Sequence, residues 1–317
     1  MVDSSVGTRF MDTQANRKFM NVRLLYTTGN GKFEETTWDK PEPKSTEIEV
    51  KAVMTGICRS DIDMMNGNFG PLPIEMSGHE GLGIVTKVGS LVMELSGIKE
   101  GDYVATRGEP AYADMYNAKL NEWVQIPELH SRYIIEPVAC GINVIDQAWK
   151  EIKDRDTKTI ILGSGFLAYV AHQRLKIKHQ TEIDVLGSSN EHLWGDKLLL
   201  ATTENYDVVI DLSGKYGIGN GIQLNNNALI IDAVGKAVSH QEAQAQLWKS
   251  CTTIRPSPRN PNFHRCMKEA VWMIENGYLE VDSFWTKSYN RNTEWQQAFA
   301  DGKDRPSGYS RGYIKWD

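Results

Sequence analysis

The stretch Gly56–Gly83 reads GICRSDIDMMNGNFGPLPIEMSGHEGLG and concentrates side chains that bind metal ions. It offers a thiol at Cys58 and an imidazole at His79, together with carboxylates at Asp61 and Glu80. Thiolate, imidazole and carboxylate are the ligand types that Zn²⁺ prefers. The Asn, Gly and Pro residues between the Cys and the His allow the chain to turn back so that both reach one ion. The pattern therefore predicts a zinc site, although a buried Cys or a lone His is more often structural.

Composition and charge limit the classes of function open to this chain of 317 residues. The length predicts one large or two medium domains with a sizeable core. The formal net charge of −6 does not favour a nucleic-acid or anionic-membrane surface. There is no apolar run long enough to span a bilayer and no secretory segment at the N-terminus. We therefore expect a cytoplasmic protein with no nucleic-acid or membrane partner.

The cysteines support the same compartment. Their spacing is not that of a disulfide framework, and reduced thiols are typical of the cytoplasm. No CxxC pair occurs, which excludes a four-cysteine structural zinc site. The four residues are Cys58, Cys140, Cys251 and Cys266.

Short apolar segments with glycine turns dominate the first half of the chain. Glu47–Met54 alternates charged and apolar residues and predicts a half-exposed strand. Further strands are predicted at 83–88, 103–106, 111–115 and 123–126, so an all-β, barrel-like domain is expected. Residues 1–20 are polar and aperiodic, which predicts a loose arm.

A second pattern begins at Thr159. Thr159–Leu162 is an apolar strand, and Gly163-Ser-Gly165-Phe-Leu-Ala168 leads from it into a predicted helix at Tyr169–Lys176. This GxGxxA sequence, between a strand and a helix, is the fingerprint of a dinucleotide-binding turn. The first glycine permits the tight turn, the second lets the backbone approach a pyrophosphate, and the alanine permits close packing.

The next strand, Ile183–Leu186, bears on the choice of cofactor. An NAD enzyme usually ends this strand with an acid that binds the ribose hydroxyls, and here Gly187 takes that place. The hydroxyls of Ser188 and Ser189 tolerate a 2′-phosphate, so NADP(H) is favoured over NAD(H). Against this, the loop contains no Arg, and Asp184 lies close enough in sequence to serve as the acid.

Several motifs in order resemble the medium-chain dehydrogenase/reductase family, which includes zinc alcohol and polyol dehydrogenases. They are GICRSD, GHEGLGIVTKVGS and IKEGDYV. The resemblance implies an α/β plus β fold, a chaperonin-10-like β-barrel catalytic domain joined to a Rossmann domain with a doubly wound parallel sheet. It implies a catalytic barrel at 1–150, a Rossmann domain at 151–280 and a return to the catalytic domain at 281–317, where GYSRGYIKWD resembles the family's last strand.

The resemblance also implies a set of metal ligands. EPVAC at residues 136–140 is similar to a segment that supplies a carboxylate to the catalytic zinc in polyol and threonine dehydrogenases. Cys58, His79 and Glu136 would then hold one catalytic zinc and leave a position open, with Glu80 as the fourth candidate. Taken without the resemblance, Glu136 before Pro137 is equally an ordinary acid in the first turn of a helix.

Roles for three further residues follow from the resemblance. Asp61 matches the acid that fixes the tautomer of the liganding His. Ser60 matches the hydroxyl that relays the alcohol proton, and Arg59 matches a residue that contacts the cofactor pyrophosphate. The simpler interpretation is that Ser60 caps a helix, Asp61 lies in its first turn and Arg59 is solvated.

These features predict a zinc-dependent NAD(P)(H) oxidoreductase that acts on a small secondary alcohol of the polyol, sugar or amino-alcohol type. GSGFLAYVAHQRL and the closing GYIKW also resemble reductases that make ribitol phosphate, so Arg255, Arg259 and Lys287 are candidate ligands of a substrate phosphate. Family members are commonly dimers or tetramers, which implies a homo-oligomer.

Two other classes remain open. One is a zinc-free quinone or enoyl reductase of the same fold. The other is an inactive homologue with a binding or structural role, because the chain is short for the family, the segment 106–136 is trimmed and the structural-zinc lobe is missing.

Overall fold

The computed structural model describes residues 19–153, 158–179, 182–195, 198–213, 222–234 and 250–316. Within these residues the strands form a two-stranded hairpin, a seven-stranded sheet and a six-stranded sheet. Residues 1–18 of the predicted arm lie outside the described residues, and a strand begins at Phe19. None of the described helices combines the length and the apolarity needed to cross a membrane.

The N-terminal part of the chain builds a mainly antiparallel sheet around one long strand. That strand, Glu47–Gly56, pairs with Gly81–Val88, Met115–Lys119 and Arg311–Lys315. The elements in order are β1 (Phe19–Tyr26), β2 (Glu34–Pro41), β3 (Glu47–Gly56), α1 (Arg59–Met65), β4 (Gly81–Val88), α2 (Ser90–Ser96), β5 (Tyr103–Thr106), β6 (Met115–Lys119) and β7 (Trp123–Gln125).

Two details of this sheet differ from the sequence prediction. The charged face of β3 is exposed only at Lys51, because Glu47 is buried and Glu49, 1% exposed, accepts a 2.6 Å hydrogen bond from the equally buried Lys40 on β2. The alternation of charged and apolar residues in β3 gives no sign that the β1–β2 hairpin covers Glu49. The predicted strand at 111–115 begins only at Met115, since the residues before it form turns that contact the chain next to His79.

The second large sheet is parallel throughout. The elements are β8 (Thr159–Leu162), α4 (Phe166–Ile177), β9 (Ile183–Leu186), α5 (Glu191–Trp194), β10 (Leu198–Leu199), β11 (Asn205–Asp211), β12 (Gln223–Asp232) and β13 (Cys251–Ile254). The strands lie in the order β10-β9-β8-β11-β12-β13. Successive strands are therefore added on one side of β8 and then, from β11, on its other side, as in a doubly wound nucleotide-binding fold.

Helices and the C-terminal segment connect the two sheets. Helix α3 (Glu136–Ile152) packs against both α4 and α6 (Phe263–Glu275). Apolar residues at helical spacing from Phe263, with Gly277 as a stop, predict a helix over 263–276, and α6 ends one residue earlier. The chain then forms β14 (Trp285–Asn290), α7 (Trp295–Asp304) and β15 (Arg311–Lys315). Strand β15 pairs with β3, so the last strand returns to the first sheet, as the resemblance implied.

Candidate functional site

Sheet pairing brings the two halves of the Gly56–Gly83 stretch together. Strands β3 and β4 are antiparallel with Thr55 opposite Gly81, so the residues after β3 and before β4 emerge at one edge. Cys58 follows β3 as the N-cap of α1, and His79 and Glu80 are the two residues that precede β4. The turn back contains glycines with positive φ at Gly67 and Gly70, as the composition predicted.

Three potential metal ligands meet at this edge. One ligand atom from each of Cys58, His79 and Glu80 lies within 4.8 Å of the others. Glu80 is fully buried, and the side chain of His79 is only 13% exposed. A thiol, an imidazole and a carboxylate in one partly closed pocket are a donor set that suits Zn²⁺. We call Cys58, Ser60, Asp61, His79 and Glu80 the ligand edge.

Asp61 orients the imidazole of this set. Its Oδ2 accepts hydrogen bonds of 2.8 Å from the backbone N–H of Cys58 and 2.8 Å from the hydroxyl of Tyr112. Its Oδ1 is buried without a hydrogen bond and lies 3.5 Å from Nδ1 of His79. An N–H on Nδ1 would satisfy this oxygen and leave the Nε2 lone pair for a metal, so the residues present fit a zinc ion.

Glu80 is held in place by a residue that the sequence prediction missed. One terminal nitrogen of Arg311 lies 2.6 Å and 2.5 Å from the two carboxylate oxygens of Glu80. Gly56 leaves room for this carboxylate, because a Cβ at position 56 would lie 2.1 Å from Oε2 of Glu80. The predicted closing strand contained Arg311, but only the pairing of β15 with β3 shows where its side chain goes.

The structure separates the roles considered for Ser60. The N-cap of α1 is Cys58, so the interpretation of Ser60 as the cap is wrong, while Asp61 does lie in the first turn. The Oγ of Ser60 lies 3.4 Å from Nε2 of His79, the ring nitrogen that does not face Asp61. Arg59 is half exposed and lies 3.8 Å from Asp63.

Glu136 lies nearby but outside the closest group. It is the buried first residue of α3, followed by Pro137, so the first-turn position is confirmed. Among the described residues its oxygens are not part of the set that meets within 4.8 Å. Its Oε1 accepts a 3.3 Å hydrogen bond from the thiol of Cys140, and its charge still acts on His79.

The buried acids shift the protonation of the ligand edge. Burial, reinforced by the charge of Glu80, raises the pKa of the Cys58 thiol. Burial also raises the pKa of Glu136. For His79 burial opposes the charged form, but the charges of Asp61, Cys58 and Glu136 and a hydrogen bond with Cys58 together outweigh it and raise the pKa of the imidazole well above its ordinary value. The cluster thus has an excess of acidic groups, which is the balance that a divalent cation neutralises.

The glycine turn, Gly163–Ala168, follows β8 at the point where the strand order reverses. Gly163 has φ +108°, which glycine tolerates best. Among the described residues, a Cβ built at Gly165 would meet no atom within 4 Å, so their packing does not demand glycine there and the open space suits a pyrophosphate. Ala168 is buried in the core beneath α4.

The end of β9 is occupied by the protein itself. A Cβ at Gly187 would lie 2.3 Å from Oγ of Ser164, so this position has no room for an acidic side chain. The Oγ of Ser164 also lies 3.0 Å from Oγ of Ser189 and accepts from its N–H. Ser188 is exposed. Asp184 accepts a 2.9 Å hydrogen bond from Tyr206 and pairs in register with Ile160, below the end of the strand.

The basic residues suggested for a substrate phosphate do not converge on the ligand edge. Arg255 and Arg259 are exposed after β13, and Lys287 lies 3.8 Å from Asp301. Arg311 does join the two regions. Its guanidinium contacts Glu80 and lies 4.9 Å from the ring of Phe166, the first residue of α4.

A family model confirms the fold of the first region. The model of the alcohol dehydrogenase GroES-like domain matches residues 44–123, which include the ligand edge. An alcohol dehydrogenase of Moraxella sp. (strain TAE123) is 29% identical over 191 residues, which are 49% of this chain and 54% of that protein. A sorbitol dehydrogenase of Ovis aries is 35% identical over 96 residues, 29% of this chain and 26% of that protein. The alignments thus span about half or less of these curated relatives.

Solved structures extend the likeness to almost the whole chain. A structure described as a zinc-binding dehydrogenase of Sinorhizobium meliloti, bound to NADP, has a TM-score of 0.71 at 17% identity and covers 94% of this chain and 100% of its own. A quinone oxidoreductase of Coxiella burnetii has a TM-score of 0.68 at 15% identity and covers 94% and 100%. Such identities show the fold alone.

A GroES-like barrel joined to a doubly wound parallel sheet defines the dehydrogenase architecture that the sequence motifs predicted. The domain match at residues 44–123 and the fold shared with solved dehydrogenases support the medium-chain dehydrogenase/reductase family that the motifs resemble.

Proposed function

We propose that the chain is a zinc-dependent oxidoreductase that transfers a hydride between a nicotinamide cofactor and a secondary alcohol or its ketone. The observation that carries the proposal is the meeting of Cys58, His79 and Glu80 within 4.8 Å. Arg311 adds to it, because one guanidinium contacts both this cluster and the first residue of the helix after the glycine turn. A metal site and a dinucleotide site on adjoining elements are what hydride transfer from a bound alcohol requires.

The metal would be held by the residues of the ligand edge. Cys58 and His79 are the first two ligands, and Glu80 or Glu136 supplies a carboxylate as the third. A bound zinc ion would polarise the substrate oxygen and lower the pKa of an alcohol. Asp61 keeps the imidazole of His79 turned toward the metal position. The sequence supports a single catalytic zinc, since it has no CxxC pair for a structural one.

Ser60 is the proposed proton carrier. Its Oγ lies on the same side of His79 as the proposed metal position, which favours contact with the substrate hydroxyl. As the hydride leaves the carbon, the serine hydroxyl would receive the alcohol proton and pass its own proton outward. This is general acid–base catalysis by a positioned side chain.

The glycine turn would bind the cofactor, whose nicotinamide ring accepts or donates the hydride. Gly163 and Gly165 admit the pyrophosphate, Ala168 lets α4 pack closely, and Arg59 would add a charge-assisted contact. NADP(H) is favoured over NAD(H), because Gly187 has no room for an acid and Asp184 is bonded to Tyr206. The exposed Ser188 and the nearby Ser189 are then the hydroxyl donors to a 2′-phosphate.

The proposed substrate class is a polyol, sugar or amino-alcohol, phosphorylated or not. A ligand set with one thiol and two nearby acids supports it, as does the alignment with a protein named sorbitol dehydrogenase. Unpaired cysteines favour a reducing compartment, so we propose a cytoplasmic enzyme, assembled as a dimer or tetramer like its family.

A zinc-free quinone reductase is the second candidate, because a protein of that name shares the fold. The ligand edge argues against it, since a reductase without zinc has no need for a buried thiol, imidazole and carboxylate in contact. The same cluster argues against an inactive homologue.

The test is metal content and cofactor binding on one purified sample. We expect about one zinc per chain, and tighter quenching of tryptophan fluorescence by NADPH than by NADH. Cys58→Ser should lose the zinc, whereas Cys251→Ser, on β13 of the other sheet, should keep it. Absence of zinc together with no binding of either cofactor would overturn the proposal, and a zinc-free protein that binds NADPH would favour the quinone reductase.

A further inference from the structure

We infer that Tyr112 is a positioning residue for the ligand edge, whose hydroxyl fixes Asp61 so that Asp61 in turn fixes the ring of His79. The inference rests on the proposed function for the identity of the metal. The contacts that support the inference are made between protein residues and do not involve a bound metal.

The first contact is between the phenol and the carboxylate. The hydroxyl of Tyr112 lies 2.8 Å from Oδ2 of Asp61, and the backbone N–H of Cys58 donates to the same oxygen over 2.8 Å. Two donors on one oxygen fix the rotation of the carboxylate, which leaves the other oxygen 3.5 Å from Nδ1 of His79. Loss of either donor would free the carboxylate to turn away from the imidazole.

The hydroxyl has a second acceptor within reach, and charge decides between them. The carbonyl of Gly56 lies 3.0 Å from the phenol oxygen. A phenol has one proton and serves one acceptor at a time. The carboxylate of Asp61 is the closer and stronger acceptor, since a bond to an ionised oxygen is roughly twice as strong as a neutral one.

The backbone around Tyr112 binds the segments that carry the ligands. Its N–H donates to the carbonyl of Ser77 over 3.1 Å, and the N–H of Ala111 donates to Gly78 over 3.0 Å, next to His79. The carbonyl of Ala111 accepts a 2.8 Å bond from Thr55 on β3. Tyr112 is therefore held between the end of β3 and the residues before β4, and its hydroxyl reaches α1.

The ring of Tyr112 is fixed independently of its hydroxyl. It is fully buried and makes edge-to-face contacts with Phe33 at 5.7 Å and Phe299 at 5.3 Å between centroids. A Cβ at Gly78 would lie 2.7 Å from the ring, so glycine at that position also accommodates it. Tyr112→Phe therefore removes the hydroxyl and preserves the packing.

The chain provides a matched control at Tyr116. This tyrosine is also fully buried in the same sheet, and its hydroxyl lies 2.7 Å from Oγ1 of Thr106 rather than at the ligand edge. Tyr116→Phe deletes one buried, hydrogen-bonded hydroxyl at comparable cost in stability. A difference between the two variants then reports on the contact with Asp61 and not on the loss of a hydroxyl.

The experiment measures zinc transfer to a chromogenic chelator from the wild-type, Tyr112→Phe and Tyr116→Phe proteins at matched folded fractions. We expect Tyr112→Phe to release zinc about 10- to 100-fold more readily, the usual effect of losing an outer-shell partner. Tyr116→Phe should stay within about twofold of wild type. Equal release from both variants would overturn the inference. A Tyr112→Phe protein that does not fold would also overturn it, because the hydroxyl would then serve stability.

Two further measurements test that Tyr112 acts through Asp61. In an Asp61→Asn background, Tyr112→Phe should have little additional effect on zinc release, and a full additional effect would contradict the inference. In metal-free protein, the ¹⁵N shift of Nδ1 of His79 should change in Tyr112→Phe and not in Tyr116→Phe. This ¹⁵N shift tests the inference even if the wild-type protein binds no zinc. Absence of zinc binding would contradict the proposed function and leave the inference about Tyr112 to be decided by the shift.

Discussion

The ligand edge brings polar side chains into contact, whereas the glycine turn depends on two residues that have no side chain. At the edge, Cys58, His79 and Glu80 come from residues distant in sequence and meet only because β3 pairs with β4. At the turn, Gly163 and Gly165 are two residues apart, and their contribution is the space that they leave. The first region depends on sheet register and buried charge, and the second on local backbone conformation.

This difference predicts how each region fails when it is altered. A change at the ligand edge should alter chemistry or metal retention, because each side chain there has a partner in the same cluster. A change at the glycine turn should alter cofactor binding, because no atom of the described residues lies within 4 Å of a Cβ built at Gly165. Three substitutions test this contrast, and the one with the largest predicted effect comes first.

Ser60→Ala should slow turnover by about a hundredfold, as the loss of a general acid–base group does. Zinc content and NADPH affinity should remain, because the hydroxyl of Ser60 is not one of the three grouped ligands. Steady-state kcat, zinc analysis and a fluorescence titration on one preparation check this. Ser96→Ala, on the surface helix α2, is the control, and a kcat equal to that of Ser96→Ala would remove Ser60 from the mechanism.

Gly165→Val should weaken NADPH binding by about tenfold or more, because its side chain would fill the space that the pyrophosphate needs. Thermal stability should change little, since a Cβ at position 165 meets no atom within 4 Å. Gly187→Ala makes the opposite comparison, because its Cβ would lie 2.9 Å from the backbone N of Ser164 and should lower the melting temperature. Undiminished NADPH affinity in Gly165→Val would place the cofactor elsewhere.

Asp146→Asn tests the helices that support both regions. Asp146 on α3 accepts bonds of 3.0 Å and 2.9 Å from Arg174 on α4, and these helices begin at Glu136 and at the glycine turn. Removing the charge should lower the free energy of unfolding by about 2 kcal/mol, between the values for exposed and buried pairs. Urea unfolding measures the loss, and Asp39→Asn, at an exposed residue of β2, should cost far less.

The same substitution has a pH signature. Burial opposes ionisation of Asp146, but the hydrogen bonds and charge of Arg174 outweigh it and lower the pKa of the carboxyl. The carboxylate therefore stabilises the fold above its unfolded pKa of about 4, and this stabilisation is lost as the pH falls through the lower folded pKa. Unfolding free energies measured from pH 6 downward to about 3 should fall less steeply in Asp146→Asn. Parallel curves for the two proteins would show that the pKa of Asp146 is the same in the folded and unfolded states.

Sequence reasoning predicted the local features well and the long-range ones unevenly. The glycine turn, the helix Phe263–Glu275 and the return of the last strand lie where the patterns indicated. It failed at Glu49, whose charge pattern suggested exposure although Lys40 covers it from the hairpin. It also missed the roles of Tyr112, which lies in no motif, and of Arg311, which lies in the closing segment, because each acts through a partner far along the chain.

By itself the sequence determined the elements and the inventory of chemistry. Hydrophobic periodicity and glycine placement set the strands, the nucleotide turn and the helices, because these depend on neighbours a few residues apart. Only the tertiary structure decided that Glu80 joins Cys58 and His79 most closely, that Glu136 stands apart among the described residues, and that Arg311 and Tyr112 hold the cluster. Such contacts depend on strand register and buried charge pairing, which bring together residues that no local pattern relates.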